Sequence, residues 1–295
     1  MSADDLVQIA ALPEHQRVAY AGALYALAVA DGALDKEELQ LISELVDPGG
    51  LSSAGRDLMR SYVLTPPTLA DTLAAFGAAP ETVRYALMLN LLEIAWANDL
   101  LTPQQDSLLT TARSALAINE DQYRALWRFV RELRAVRLRG QNDNAAAQAT
   151  RVAAAGLAAV GVPLAAMYVS GSVIGLSAAG ITSGLAALGL GLGMVPGIGV
   201  AVLLGTAVFV GVHALLDAGR SSEPGQLQRQ LIRRSHETIA DLEAMIAMLD
   251  QAIGAIDRNG GDLASGLRLG ILYERRRALE QILARRRALL TAIAQ

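Results

Sequence analysis

Asp35 and Glu38 stand three residues apart at the head of the apolar run Leu39, Leu41, Ile42 and Leu45. That is the spacing of a capping box, in which an N-cap oxygen and an N3 carboxylate satisfy backbone N–H groups that a first helical turn leaves bare. Asp31 lies just upstream, beside Gly32, a residue suited to the left-handed backbone of a helix end. Two kinds of chemistry are open to these acids: helix capping alone, or an acidic patch for a basic partner. A second set is basic. Arg275, Arg276 and Arg277 return ten residues later as Arg285, Arg286 and Arg287, a separation close to three helical turns, so the clusters point in similar directions. A solvated face, docking on an acidic surface or anionic lipid, and nucleic-acid binding compete for them. No aromatic residues interleave with these arginines and the chain carries a net charge of −4, which argues against nucleic acid as a partner.

Catalysis has no comparable footing. There is no cysteine, so thiolate nucleophiles, thiolate zinc sites and disulfides are excluded together. His15, His213 and His236 stand apart from one another, and neither a Walker loop nor a Gly-x-Ser-x-Gly elbow occurs. A non-enzymatic protein without a cofactor is expected. No basic segment followed by an apolar run opens the sequence, so no secretory signal is expected either.

The elements that position these residues are helices. Aromatic residues make up 4% of the chain and no stretch shows the period-two alternation of a strand, so the fold class expected is all-α. Pro13-Glu14 leads into a helix through Val18, Leu24 and Leu27, and Asp31-Gly32 stops it. The helix begun at Asp35 ends at Asp47-Pro48-Gly49-Gly50, another follows around Leu58 to Val63, and Thr65-Pro66-Pro67 and Ala79-Pro80 mark turns. Leu24, Ala28, Ala30, Leu34 and Leu41 recur 67 residues later as Leu91, Ala95, Ala97, Leu101 and Leu108, with Thr102 in the place of Asp35 and Pro103 at a first helical position. The spacing predicts a duplicated pair of helices. Trp96, Trp127 and Phe129 read as core, and His15 as surface.

The segment Ala30-Asp31-Gly32-Ala33-Leu34-Asp35-Lys36-Glu37-Glu38, with its degenerate echo from Ala97 to Gln105, resembles the TerB-like domain of tellurite-resistance proteins over roughly residues 5–138. The resemblance implies a pseudo-duplicated all-helical bundle across residues 1–140. It also implies an acidic site for a divalent cation at Asp31 and Glu38. The second copy departs, with Asn98 and Gln105 where the first has carboxylates, and a hard cation needs several oxygen ligands.

Beyond this unit the charge reverses. Residues 1–122 carry 17 acids and 6 bases, and residues 123–295 carry 12 acids and 19 bases. Arg124, Arg128, Arg131, Arg134 and Arg137 form one stripe on a helix, either a solvated face or one drawn to anionic headgroups. Then Val152 to Leu216 runs 65 residues without a charged side chain and holds 13 of the 27 glycines. Gly171/Gly175, Gly180/Gly184 and Gly189/Gly193/Gly197 recur at four-residue spacing, which lets helix backbones approach closely. The run from Gly175 to Gly184 resembles the glycine-rich module of interferon-inducible small membrane proteins, which implies membrane association and self-packing.

The expectation is a transmembrane hairpin over residues 152–216, or a hairpin concealed within the protein, with the lipid bilayer as partner. Arginines on both flanks place the protein in the inner membrane with both termini cytoplasmic. From 226 to 295, Ile239, Leu242, Ile246, Leu249, Ile253 and Ile256 alternate by three and four, and Asn259-Gly260-Gly261 reverses the chain. Leu263, Leu267, Ile271 or Leu272, Leu279 and Ile282 or Leu283 supply the return of an antiparallel coiled-coil hairpin. The function expected is that of a bacterial stress or phage-defence protein, a homo-oligomer with a protein partner at its acidic N-terminal domain. The alternative is a pore-forming effector held soluble until triggered.

Overall fold

A computed structural model describes residues 12–46, 48–139, 155–162, 224–259 and 263–294. The fold is all-α, every regular element among the described residues being a helix. In order these are α1 (Glu14–Ala28), α2 (Lys36–Leu45), α3 (Ser53–Ser61), α4 (Leu69–Leu73) with a 3₁₀ turn Ala74–Phe76, α5 (Glu81–Ala95), α6 (Pro103–Ala115) and α7 (Glu120–Arg139), then α8 (Pro224–Asn259) and α9 (Leu263–Ala294).

Helices α1, α2 and α3 begin at residues 14, 36 and 53, and α5, α6 and α7 begin 67 positions later at 81, 103 and 120. The local chemistry repeats with them. Pro13 and Pro80 precede the first helices with nearly the same extended backbone, φ −53°, ψ 145° and φ −52°, ψ 147°. Asp31 Oδ1 accepts the N–H of Ala33 at 3.1 Å, and Asn98 Oδ1 accepts that of Leu100 at 3.0 Å. Capping boxes close at Asp35/Glu38 and at Thr102/Gln105. Ser52 and Asn119 cap the third helices through Gly55 N–H and Gln122 N–H. Arg17 reaches the carbonyl of Gly49 at 2.6 Å, and Arg84 that of Leu116 at 2.7 Å. Positive φ recurs at Gly32 (90°) and Asp99 (64°), and again at Gly50 (73°) and Ala117 (53°). Residues 13–61 and 80–128 are therefore called repeat 1 and repeat 2.

The first helix of each repeat sits at the centre. Nearly every residue of α1 from Arg17 onward and of α5 from Tyr85 onward is buried, so neither shows a polar stripe, as a helix enclosed on all sides requires. Leu24, Leu27, Leu87, Leu89, Leu91 and Leu92 are wholly covered, each contributing about 1.5–3 kcal/mol of apolar burial. Gly22 admits α4: a Cβ there would lie 2.9 Å from Pro67 Cγ and 3.0 Å from Thr72 Cγ2. Proline decides the next difference. Pro66-Pro67 bar a helix soon after α3, whereas the equivalent positions are Leu133 and Arg134 and α7 runs on to Arg139.

Helices α8 and α9 pack along each other and against α3 and α2 of repeat 1. Leu242, Leu249 and Ile253 of α8 and Leu272, Leu279, Ile282 and Leu283 of α9 are buried. The returning face differs from the pattern in the sequence near the reversal: Leu267 is 67% and Ile271 43% exposed, and Leu272 takes the inward position.

One expectation is corrected. Among the described residues no helix is long and apolar enough to cross a membrane, which overturns both the transmembrane assignment and the placement in the inner membrane with both termini cytoplasmic. The physical reason is visible where the charge-free stretch begins. Residues 155–159 make one helical turn that ends at Gly161 with φ 76°, and Leu157 and Val162 are buried in the protein's own core. Helices long enough to span, α7, α8 and α9, carry arginines and acids along their length. Residues 163–223, with Gly171, Gly175, Gly180, Gly184, Gly189, Gly193 and Gly197, lie outside the described residues, as does the expected short helix from Leu6.

Candidate functional site at the junction of the repeats

The two capping turns, 67 residues apart in sequence, meet in space. Glu38 and Gln105 occupy the same position of their repeats, and each reaches back to its own N-cap: Glu38 Oε2 accepts the N–H of Asp35 at 3.0 Å, and Gln105 Oε1 accepts that of Thr102 at 3.1 Å. With its oxygen so engaged, the Gln105 amide can present only its NH₂ outward. That group donates to Glu38 Oε1 at 3.0 Å. A second bond links the turns nearer the surface, Asn98 Nδ2 donating to Asp35 Oδ2 at 2.5 Å.

Glu38 is 2% exposed and Gln105 is fully covered. Burial pushes the Glu38 carboxyl up to about 8; the carboxylates of Asp35 and Asp31 act in the same direction, and the Asp35 and Gln105 donors oppose it. Repeat 2 carries the amide, so the junction buries one titratable group and not two. A carboxylate with two acceptors facing an amide with one outward donor is the pairing that leaves neither side unsatisfied.

Asp31 stays at the surface with its Ala33 bond, and both Glu38 oxygens are engaged within the protein. Among the described residues no group of three or more His, Asp or Glu side chains is arranged to hold a metal ion. The two paired turns are rich in acids. The turns 31–38 and 98–105 contain Asp31, Asp35, Glu37, Glu38 and Asp99 against the single base Lys36, and Asp31, Glu37 and Asp99 are exposed. Leu100, in the second turn, is 69% exposed.

The arginines of α9 divide by direction. Arg275 and Arg286, eleven residues apart, turn inward and are buried. Arg275 Nη1 donates to the carbonyl of Val63 at 2.6 Å, and Arg286 Nη2 to that of Ser43 at 3.4 Å. Both acceptors lie at the C-terminal ends of repeat-1 helices, where unpaired carbonyls and the helix dipole favour a cation. Arg276 pairs with Asp250 and Glu280, Arg287 pairs with Glu243, Arg285 reaches Gln40, and Arg277 is exposed. On α7, Arg124 pairs with Glu120, Arg128 is exposed and Arg131 lies over the Trp127 ring; the side chains of Arg134 and Arg137 lie outside the described residues. Trp127 meets Trp96 edge to face at 5.4 Å and Phe129 is buried.

The sequence reading missed a buried polar chain between the central helices. Tyr20 Oη donates to Asn90 Oδ1 at 2.5 Å, and Asn90 Nδ2 to Glu93 Oε2 at 2.9 Å. Burial, with the Glu93 charge beside it, holds the Tyr20 hydroxyl well above its ordinary pKa. The signal lay in Asn90 and Glu93, three apart in an otherwise apolar helix, since a buried polar group needs a partner. No family model, no characterised protein and no solved structure matches this chain.

Proposed function

We propose that this chain is a non-enzymatic bacterial stress or defence protein whose TerB-like head binds a basic partner, while its C-terminal helices serve assembly. The observation that carries the reading is the pairing of the two turns. It brings together two turns whose exposed residues include Asp31, Glu37, Asp99 and Leu100, while Glu38 and Gln105 are spent on holding the turns together. Such a surface attracts a cationic segment at long range and offers one apolar contact on arrival. The arrangement suits binding better than acid–base work, because the buried carboxylate is committed to two donors.

The test is survival of cells challenged with tellurite or phage, with and without the gene, alongside an Asp31→Asn/Glu37→Gln/Asp99→Asn variant. Protection by the wild type that the variant loses, with helical content and melting unchanged, supports the reading. Equal survival with and without the gene would sink it.

A further inference from the structure

The turn after α1 exposes three residues in a row, Asp31, Gly32 and Ala33, and holds the single Asp-Gly pair of the sequence. Asp31 Oδ1 accepts the N–H of Ala33 at 3.1 Å, and the ring that this bond closes contains the Gly32 nitrogen, so the carboxyl lies folded back along the peptide bond that follows it. Gly32 has a φ of 90°, and a Cβ there would meet nothing within 4 Å. Neither a Cβ nor a packed side chain screens its nitrogen. What restrains that nitrogen is its bond to the carbonyl of Val29 at 2.9 Å, at an exposed helix end where local opening costs far less than unfolding.

Repeat 2 has the same turn with the opposite protection. Asn98 Oδ1 accepts the N–H of Leu100 at 3.0 Å while its Nδ2 donates to Asp35 Oδ2 at 2.5 Å, so the amide is held at both ends. The residue that follows is Asp99, which carries a Cβ at the left-handed position, φ 64°. Among the described residues Asp31 is held by the Ala33 bond alone.

We propose that Asp31-Gly32 is a site of spontaneous backbone isomerisation, at which the Gly32 nitrogen closes on Asp31 Cγ and the turn converts to an isoaspartyl linkage. Holding the two groups in one small ring makes the attack intramolecular. The N–Cγ bond forms as the carboxyl C–OH bond breaks, and the amide proton leaves with the hydroxyl as water. Water then opens the cyclic imide. Cleavage at Cγ restores aspartate, whereas cleavage at the Asp31 backbone carbonyl sends the chain through the side chain, adding one carbon to the backbone and leaving the carboxylate on Cα. No oxidant, reductant or cofactor enters. The extra carbon falls just before Asp35, whose side chain takes Asn98 and whose N–H binds Glu38 Oε2, so the isomerised turn should lose register with repeat 2. This inference is independent of what the turns bind.

The test ages full-length protein for weeks in warm neutral buffer, folded and, as a reference for the unrestrained peptide, in urea. Isoaspartate is read by methyl transfer from S-adenosylmethionine with a protein isoaspartyl methyltransferase, and is located by fragmenting the peptide that spans residues 31 and 32. The folded chain should accumulate it at residue 31. Asp31→Glu should abolish that signal, because the longer side chain closes a larger ring slowly, and Asp31→Asn should raise it several-fold, ammonia leaving in place of water. The aged fraction should melt below fresh protein. A folded chain that holds no isoaspartate at residue 31 while the urea sample accumulates it overturns the proposal, and so does a folded Asp31→Asn variant that keeps its amide. An aged fraction that melts like fresh protein overturns the loss of register.

Discussion

Repeat 1 and repeat 2 lay one backbone over different side chains. At the two left-handed positions repeat 1 has Gly32 and Gly50, whereas repeat 2 has Asp99 and Ala117. At the buried N3 position repeat 1 has an acid and repeat 2 its amide. Where repeat 1 is followed by Pro66 and Pro67, the equivalent positions after repeat 2 are Leu133 and Arg134. The backbone thus survives substitutions that raise local strain, since caps and Arg–carbonyl bonds impose it at many points at once. The side-chain differences assign the labour: repeat 1 holds the titratable junction carboxylate and receives the hairpin, and repeat 2 supplies the neutral counterpart and the long basic helix.

The sharpest way to break this asymmetry is Gln105→Glu, which sets a second carboxylate against Glu38 Oε1, where the amide now donates. Two buried acceptors cannot both stay ionised at hydrogen-bond distance, so denaturant titration in alkaline buffer should show a loss of about 3 kcal/mol. Most of that loss should return in mildly acidic buffer, where the pair shares a proton. An unchanged midpoint across this range would mean that the turns do not meet as described.

Wild-type stability should itself depend on pH through Glu38. The folded chain holds a proton between the ordinary value of 4.5 and about 8 that the unfolded chain has released. The contribution is therefore full below 4.5, falls as pH rises through about 8 and is level above. One proton sets the steepest slope at about 1.4 kcal/mol per pH unit. Glu38→Gln should flatten the profile while costing about 1 kcal/mol, because one oxygen then serves the two donors, Asp35 N–H and the Gln105 NH₂, that two oxygens now accept. A variant with the wild-type slope would move the titration elsewhere.

The smallest effect compares the left-handed positions. Ala117→Gly should stabilise by about 0.5–1 kcal/mol and Gly50→Ala should destabilise by a similar amount, read as opposite shifts in melting temperature. Both sites are exposed, so neither change touches the core.

Much of the head was legible because its information is local. The Asp35/Glu38 and Thr102/Gln105 boxes, the Gly32 turn and the Pro13 and Pro80 starts each depend on atoms within four residues, and the offset of 67 was carried by leucines and alanines that had to face the same way twice. Less was legible at α3, expected around Leu58 to Val63 but capped by Ser52 and begun at Ser53, and at α4, whose Thr68 cap sits in a proline-rich stretch read as turn. The charge-free stretch misled where it begins, because absence of charge describes a helix buried in protein as well as one buried in lipid.

Residue order by itself thus determined where helices start and stop, that one unit is written twice, and that acids and bases are segregated along the chain. Tertiary structure decided that Glu38 faces Gln105 across the junction, that Asn90 answers both Tyr20 and Glu93, and that Arg275 and Arg286 are buried while Arg277 is not. Capping and turn chemistry act over a few bonds and leave a mark in the local sequence. Contacts between residues 67 or 212 positions apart depend on which faces packing brings together, and only the assembled core sets that.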